Sequence, residues 1–185
     1  MAWIIIGVVI VALLLFAVYA FNRLRRVDIS AQEALGGIDV QLTRRADLIP
    51  NLVNTVKGYA QHEKGVFEAV TTARAGVKAA ADQGTVAEKA AAQAQLDRAI
   101  VDVLAVAEAY PDLKASAGFL QLQTQLAETE DKISFARQYY NDAVASLNGL
   151  VRTIPWLLFT GLAGVHAREF YDAPDAHDAP PAVQF

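Results

Sequence analysis

The N-terminal apolar stretch constrains this chain more than any other part of the sequence. Residues 2–21 read AWIIIGVVIVALLLFAVYAF and contain no charged residue and no proline. At about 1.5 Å of rise per helical residue they span roughly 30 Å, the thickness of a bilayer's hydrocarbon core. The stretch predicts a transmembrane anchor over residues 1–22. Its expected lipid contacts include Trp3, Ile4, Leu14, Phe16, Tyr19 and Phe21.

The residues that flank this stretch favour an anchor over the alternatives. A cleaved signal peptide would carry positive charge ahead of its apolar run, whereas only Met1 and Ala2 stand near the start here. A core helix of this length would show a polar face. Arg23, Arg25 and Arg26 follow the run directly. By the positive-inside rule they predict a single-pass protein with its N-terminus outside and the rest in the cytoplasm.

Composition narrows the fold class and the partners of the rest of the chain. Roughly 160 residues follow the span, enough for one domain with its own core. They are rich in alanine and lack strand-type alternation, which predicts an all-α domain. Without cysteine the chain has neither disulfides nor cysteine metal sites. A net charge of -4 argues against nucleic acid as a partner.

A heptad-like seam predicts that the anchor continues into one long helix. Gly36 and Gly37 lie inside it and should each cost about 1 kcal/mol relative to alanine, so close packing against a large neighbour is expected there. Pro50 predicts a kink, with a break as the alternative. The seam comprises Leu24, Val27, Ala31, Ala34, Ile38, Leu42, Arg45, Ile49, Leu52, Val56 and Tyr59.

Three further helices are expected after a turn near 58–65. The second helix covers about 63–81, with Phe67, Val70, Ala73 and Val77 inward. The third begins at a capping box formed by Thr85 and Glu88 and runs to about 109. The fourth covers about 118–151. Its inward stripe is Phe119, Leu122, Leu126, Glu130, Ile133, Arg137, Tyr140, Val144, Leu147 and Val151.

The first and last long helices suggest an antiparallel, up-and-down four-helix bundle over residues 23–152. Setting Val27 opposite Val151 pairs Arg45 with Glu130 and Asp39 with Arg137. It also places the two glycines beside Tyr139 and Tyr140. Buried charges are usually paired, so the sequence favours a structural role for these four charged residues over a catalytic one.

Residues 153–171 form an apolar segment for which the sequence allows two placements. Their apolar run, residues 154–165, is about twelve residues long and too short to span a bilayer as a helix, so it either lies in the membrane interface or caps the base of the bundle. The tail, 172–185, is rich in Pro, Asp and Ala and is expected to be poorly ordered in an isolated chain, with Val183 and Phe185 available to dock on a neighbour. The candidate interfacial residues are Trp156, Leu157, Leu158, Phe159 and Leu162.

No catalytic, cofactor or metal motif is apparent. Phosphate-binding loops, HExxH and GxSxG are absent. A di-iron bundle would need two Glu-x-x-His motifs, which His62, His166 and His177 do not form. We therefore expect no catalytic residue, no cofactor and no metal.

A series of short motifs runs in order along nearly the whole chain: residues 38–42, 44–45, 47–53, 56–60, 62–64, 107–114, 119–123, 129–130, 133, 136–137, 140–141, 168–170 and 183–185. These motifs closely resemble those of the LemA family, although Leu35, Ala46 and the two adjacent glycines depart from its pattern. The resemblance implies a bacterial inner-membrane protein whose cytoplasmic helical bundle has bromodomain-like topology, with no established enzymatic activity. Genes of the family often lie beside genes for TPM-domain proteins or membrane metalloproteases, so the resemblance also implies these as possible partners.

Three functions compete on these observations. The leading interpretation is a non-enzymatic, homo-oligomeric scaffold that binds membrane lipids and organises or remodels the inner membrane. The second is an adaptor that presents its bundle or tail to a membrane protease or signalling partner. The third is an enzyme with Arg45, Glu130 and Arg137 in an internal cleft.

Overall fold

All regular elements of the described chain are helical. The computed structural model describes residues 1–60 and 62–171, and no strand occurs among them. The sequence-based expectation for the tail, 172–185, lies outside the described residues. The helices are α1 (Ala2–Lys57), α2 (Lys64–Gln83), α3 (Val86–Glu108), α4 (Pro111–Lys114), α5 (Ala117–Val151), a 3-10 turn (Trp156–Phe159) and α6 (Thr160–Ala163).

The described chain divides into two compact units, and α1 and α5 contribute residues to both. The first unit comprises residues 1–36 and 138–170. The second comprises residues 37–137 together with Tyr171. The first unit therefore holds the apolar N-terminal span and the short apolar segment that follows α5. The second holds α2, α3 and α4.

The predicted seam of α1 is buried along almost its whole length. Tyr59 is the exception: its side chain is 45% exposed, because α1 ends at Lys57 and the helical spacing no longer applies. Val27 is half-buried. The buried seam residues are Leu24, Ala31, Ala34, Ile38, Leu42, Arg45, Ile49, Leu52 and Val56.

Proline 50 does not break α1, and a side chain from α2 replaces the hydrogen bond that it removes. Proline has no backbone N–H, so in a helix the carbonyl four residues earlier loses its donor. That carbonyl belongs to Ala46, which is fully buried. Arg74 Nε donates to the Ala46 oxygen at 3.0 Å. The buried acceptor is thereby satisfied from a neighbouring helix.

The two adjacent glycines of α1 are exposed, contrary to the expected close packing. A Cβ atom placed on Gly36 or on Gly37 would meet no atom within 4 Å. Tyr139, one of the expected neighbours, is itself exposed. The seam turns away from these positions, since Ala34 and Ile38 carry the buried face. The expectation that a bulky neighbour requires these glycines was therefore wrong.

The second unit is built from helices whose ends the sequence marks clearly. Four inward residues of α2 are buried as predicted. Thr85 and Glu88 form the predicted capping box: Glu88 N–H donates to Thr85 Oγ1 at 3.2 Å, and Thr85 N–H donates to Glu88 Oε2 at 2.7 Å. This box sets the start of α3 at Val86. The expected turn after α3 is the short helix α4, which buries Leu113.

The bond between Arg74 and Ala46 generates a prediction. Arg74→Leu should lower the free energy of unfolding by about 1–3 kcal/mol, because the buried Ala46 carbonyl loses its donor. In a Pro50→Ala background the same substitution should cost less, since residue 50 then supplies the helical N–H. A denaturant-unfolding double-mutant cycle in detergent measures this difference.

The control for this cycle is Arg98→Leu. Arg98 Nε donates to the carbonyl of Ala94 at an exposed position of α3, so its loss should change stability little. Equal costs of Arg74→Leu in the two backgrounds would contradict the proposed replacement of the proline-broken bond.

Candidate functional site: an apolar surface and a buried charge network

The apolar span of α1 presents large side chains outward in the first unit. One helix in the described chain is long and apolar enough to cross a membrane, and it is α1. Only Ala20 and Leu24 near the end of the span are fully buried. Contiguous apolar exposure on this scale marks contact with a membrane or a protein. The predicted anchor residues Trp3, Ile4, Leu14, Phe16, Tyr19 and Phe21 are all exposed.

An aromatic cluster joins this span to the apolar segment that follows α5. The ring centroids of Phe16 and Trp156 lie 6.2 Å apart, and those of Phe16 and Phe159 lie 5.8 Å apart in an edge-on arrangement. Tyr19 and Trp156 are 5.7 Å apart. These separations are typical of favourable aromatic pairs. The two apolar stretches therefore form one surface.

The apolar segment that follows α5 has one face packed on the span and one face that is exposed. Trp156 and Phe159 are half-buried against the span, and Ala163 and Val165 are buried. The other face is solvent-accessible and consists of large aliphatic side chains. They are Ile154, Leu157, Leu158 and Leu162.

A set of hydrogen bonds, here called the polar lock, fixes the chain immediately after the apolar segment and joins Asp28, Tyr140 and Asn148 to residues 168–169. The side-chain amide of Asn148 donates to the Arg168 carbonyl at 2.9 Å, and its oxygen accepts from the Arg168 N–H at 2.9 Å. Arg168 Nε donates to Asp28 Oδ1 at 2.8 Å. Tyr140 donates its hydroxyl to the Glu169 carbonyl at 2.8 Å. Helices α1 and α5 thus both hold residues 168–169.

Arg45 is the centre of a charge network in the second unit. Its side chain is only 7% exposed, and it forms an ion pair with Glu130, the residue that the antiparallel register predicts. It also lies 2.9 Å from Asp97 of α3. A groove of about 380 Å³ opens beside these three residues. Arg45 Nε is buried and makes no hydrogen bond, while Asp97 Oδ1 is buried and is engaged by Arg45 Nη1 as an ion pair.

Asp39 pairs with Lys89 of α3, whereas the sequence-based register aligned only the first and last long helices. The prediction paired it with Arg137, but its carboxylate lies 2.5 Å from Lys89 Nζ, and Lys89 is 4% exposed. The lysine also donates to the Ala81 carbonyl at 2.9 Å. Arg137 is half-buried and acts electrostatically on Asp97. The pairing of Asp39 with Arg137 was therefore wrong, because α3 supplies a nearer cation.

Sequence reasoning missed a polar stripe along α3. Lys89, Gln93 and Asp97 recur every four residues, so they share one helical face. Tyr171 donates its hydroxyl to Gln93 Oε1 at 3.0 Å within the second unit. The sequence contained a signal for this stripe, because the three polar residues continue the helical spacing of the apolar positions of α3. The prediction missed them because it used only apolar residues to choose the inward face.

Burial shifts the pKa values of two carboxylates in this network. It raises the pKa of Asp97 above the ordinary value, although Arg45 acts in the opposite direction. It raises the pKa of Asp39 as well, against the effect of Lys89. Among the described residues, no group of three or more His, Cys, Asp or Glu side chains could hold a metal ion. The charges of the network are instead paired with one another.

A family model described as LemA family matches residues 34–185, which is most of the chain. The chain belongs to the LemA family. The match includes the charge network, the short apolar segment and the residues of the polar lock other than Asp28.

Three named proteins are similar to this LemA-family chain. Magnetosome proteins MamQ 1 and MamQ 2 of Paramagnetospirillum magneticum are each 24% identical over 194 residues. Magnetosome protein MamQ of Magnetospirillum gryphiswaldense is 22% identical over 194 residues. Each alignment covers 92% of this chain and 71% of the relative. The similarity therefore extends beyond a shared apolar helix.

The raised pKa of Asp97 gives this LemA-family protein a testable pH dependence. The pKa of Asp97 is higher in the folded state than in the unfolded state. At pH values between the two, the folded protein binds more protons than the unfolded protein, so the free energy of unfolding falls as pH rises through that interval. The free energy of unfolding should therefore fall, relative to that of Asp97→Asn, as pH increases from about 4. The change should be on the order of 1 kcal/mol or less, because a third of the side chain remains exposed.

Denaturant midpoints measured across this pH range test the expectation. Asp102→Asn, an exposed position of the same helix, is the matched control and should follow the wild type. A constant difference between wild type and Asp97→Asn at every pH would contradict it.

Proposed function

We propose that this LemA-family protein is a membrane-anchored, non-enzymatic scaffold that self-associates and organises or remodels the bacterial inner membrane. The observation that carries the proposal is the continuity of α1. One helix contains the exposed apolar span and continues without a loop into residues that pack with α2, α3 and α5. A continuous helix transmits lateral contacts between copies to the bilayer more directly than a flexible linker would.

The charge network supports a structural role over a catalytic one. Arg45 is engaged by Asp97 and Glu130, and Lys89 by Asp39. Such pairing fixes helix register, because each charge is costly to bury without its partner. The same contacts support the proposed up-and-down bundle, since they connect α1 to α3 and α5.

The relatives support a role in organising a membrane. Three of them are named as magnetosome proteins, and they match along nearly the whole chain. We extend from these names only the idea that the family serves an organised cellular structure. Membrane lipids and further copies of this chain are the partners that the proposal requires.

Self-association is the first test of the scaffold. Two copies with different affinity tags, co-expressed and extracted gently, should co-purify, and native mass spectrometry should give multiples of the 19.9 kDa chain. Mixing separately purified copies after extraction is the control for aggregation in detergent. A monomer at every detergent and lipid ratio would contradict the proposal.

The proposed orientation has a separate test. The chain has no cysteine, so single cysteines report their own side of the membrane. In intact spheroplasts, Ala2→Cys should react with an impermeant maleimide, whereas Ser146→Cys should react only after lysis. Replacing Arg23, Arg25 and Arg26 by alanine should weaken this asymmetry. Labelling of Ser146→Cys in intact spheroplasts would overturn the orientation.

A further inference from the structure

We propose that residues 154–165 are a second membrane element, which inserts into the leaflet next to Arg23, Arg25 and Arg26 without crossing the bilayer. The inference rests on the proposed anchoring of α1. Its occupant is the lipid bilayer itself, and no other partner is required.

The aromatic cluster sets the depth of this element. Tyr19 and Phe16 precede Arg23 by four and seven residues, which corresponds to roughly 6 and 10 Å along a helix. Trp156 and Phe159 pack on these two rings. They therefore lie at the level of the span's last turns, where amphipathic interfacial elements insert about 5–10 Å into a bilayer.

The outward face of the element suits lipid. Leu158 is 74% exposed, and Ile154, Leu157 and Leu162 are exposed with it. These side chains extend the apolar surface of the span sideways. A water-exposed patch of this kind would be unfavourable, and its continuity with the span argues for acyl chains as the contact.

Short helical turns satisfy several backbone groups of the element locally, which favours insertion. Leu157 N–H donates to the Thr153 carbonyl at 2.8 Å, and Val165 N–H donates to the Thr160 carbonyl at 3.1 Å. The Thr160 hydroxyl donates to the Leu157 carbonyl at 2.9 Å. Short helical turns of this type remove the polar groups that hydrocarbon cannot solvate.

Polar flanks return both ends of the element to the headgroup region. Arg152 precedes it and His166 follows it, and both are exposed. Arg168 is held by Asp28, two residues beyond the arginine cluster of α1. The lock therefore anchors the exit of the element at the level where α1 leaves the membrane.

The consequence is an asymmetric wedge. Twelve residues are too few to cross the hydrocarbon core as a helix, so the element adds apolar volume to one leaflet only. Many copies held side by side would expand that leaflet relative to the other. This gives the proposed scaffold a physical means of bending a membrane.

Tryptophan depth quenching tests the insertion in the full chain. The two native tryptophans are removed with Trp3→Phe and Trp156→Phe, and Leu158→Trp supplies the reporter. Phe135→Trp in the same background is the matched control, because Phe135 is also 74% exposed but lies in the second unit. Both proteins are reconstituted in vesicles of phosphatidylcholine and phosphatidylglycerol, with the phosphatidylcholine brominated at shallow or deep acyl positions.

The expected result is that the reporter at position 158 loses most of its emission to shallow bromines, less to deep ones, and little to aqueous acrylamide. The control at position 135 should show the reverse, with quenching by acrylamide alone. A spin label on Leu162→Cys in a chain that keeps Trp156 is measured in parallel, so that the native aromatic cluster is tested as well, and oxygen should relax that label more than a water-soluble nickel chelate does.

Two outcomes would overturn the inference. Acrylamide quenching at position 158 equal to that of the control would place the segment in water. Protection from both quenchers would place it against protein, either as a cap on the helices or against a second copy. In both cases co-flotation of the protein with vesicles would leave the proposed anchor intact, whereas loss of flotation would reject the anchor itself.

Discussion

The continuity of helix α1 is the constraint on which much of the structure depends, because the aromatic cluster, the Arg74 hydrogen bond and the buried ion pairs each include one of its residues. Its 56 residues include an exposed apolar span, aromatic contacts and buried charges in turn. In a continuous helix the inward positions recur at a fixed spacing, so one face of α1 has to make all of these contacts. Its neighbours satisfy two of the polar groups that this face buries. Arg74 supplies a hydrogen bond at Ala46, and Glu130 and Asp97 supply charge at Arg45.

Buried charge in the second unit makes the packing specific. Alanine-rich helices offer weak discrimination between registers, because successive turns present similar small surfaces. Arg45 and Lys89 remove this ambiguity, since a shift of one turn would leave each cation buried without its carboxylate. The cost is visible in the raised pKa values of Asp97 and Asp39, where desolvation outweighs the attraction of the partner.

The sequence predicted those features that depend on local patterns. The apolar face of α1, the capping box at Thr85 and the stripe of α5 follow from spacing and from backbone hydrogen bonding, so the helices were placed to within a few residues. The pairing of Arg45 with Glu130 followed from aligning two helices of similar length. The family resemblance supported the same helical assignment and is confirmed by the family match.

Two of the missed contacts depend on a third helix or on the segment that follows α5. Asp39 binds Lys89 because α3 brings a long, flexible cation closer than Arg137, and no two-helix alignment contains that information. Gly36 and Gly37 face outward, so their glycine identity has no explanation within the described chain. Asp28 and Arg168 meet across 140 positions of sequence, a contact that no local pattern encodes.

The aromatic cluster changes what the N-terminal span can do as an anchor. A plain apolar helix is free to rotate about its own axis in a bilayer, because lipid solvates all of its faces alike. Here Phe16 and Tyr19 pack against Trp156 and Phe159, so one face of the span is fixed against that segment while the other faces stay exposed. The lock at Arg168 holds the same segment from its other end. Together they give the span a defined rotational orientation within its own unit, a property that ordered lateral contacts between copies would require.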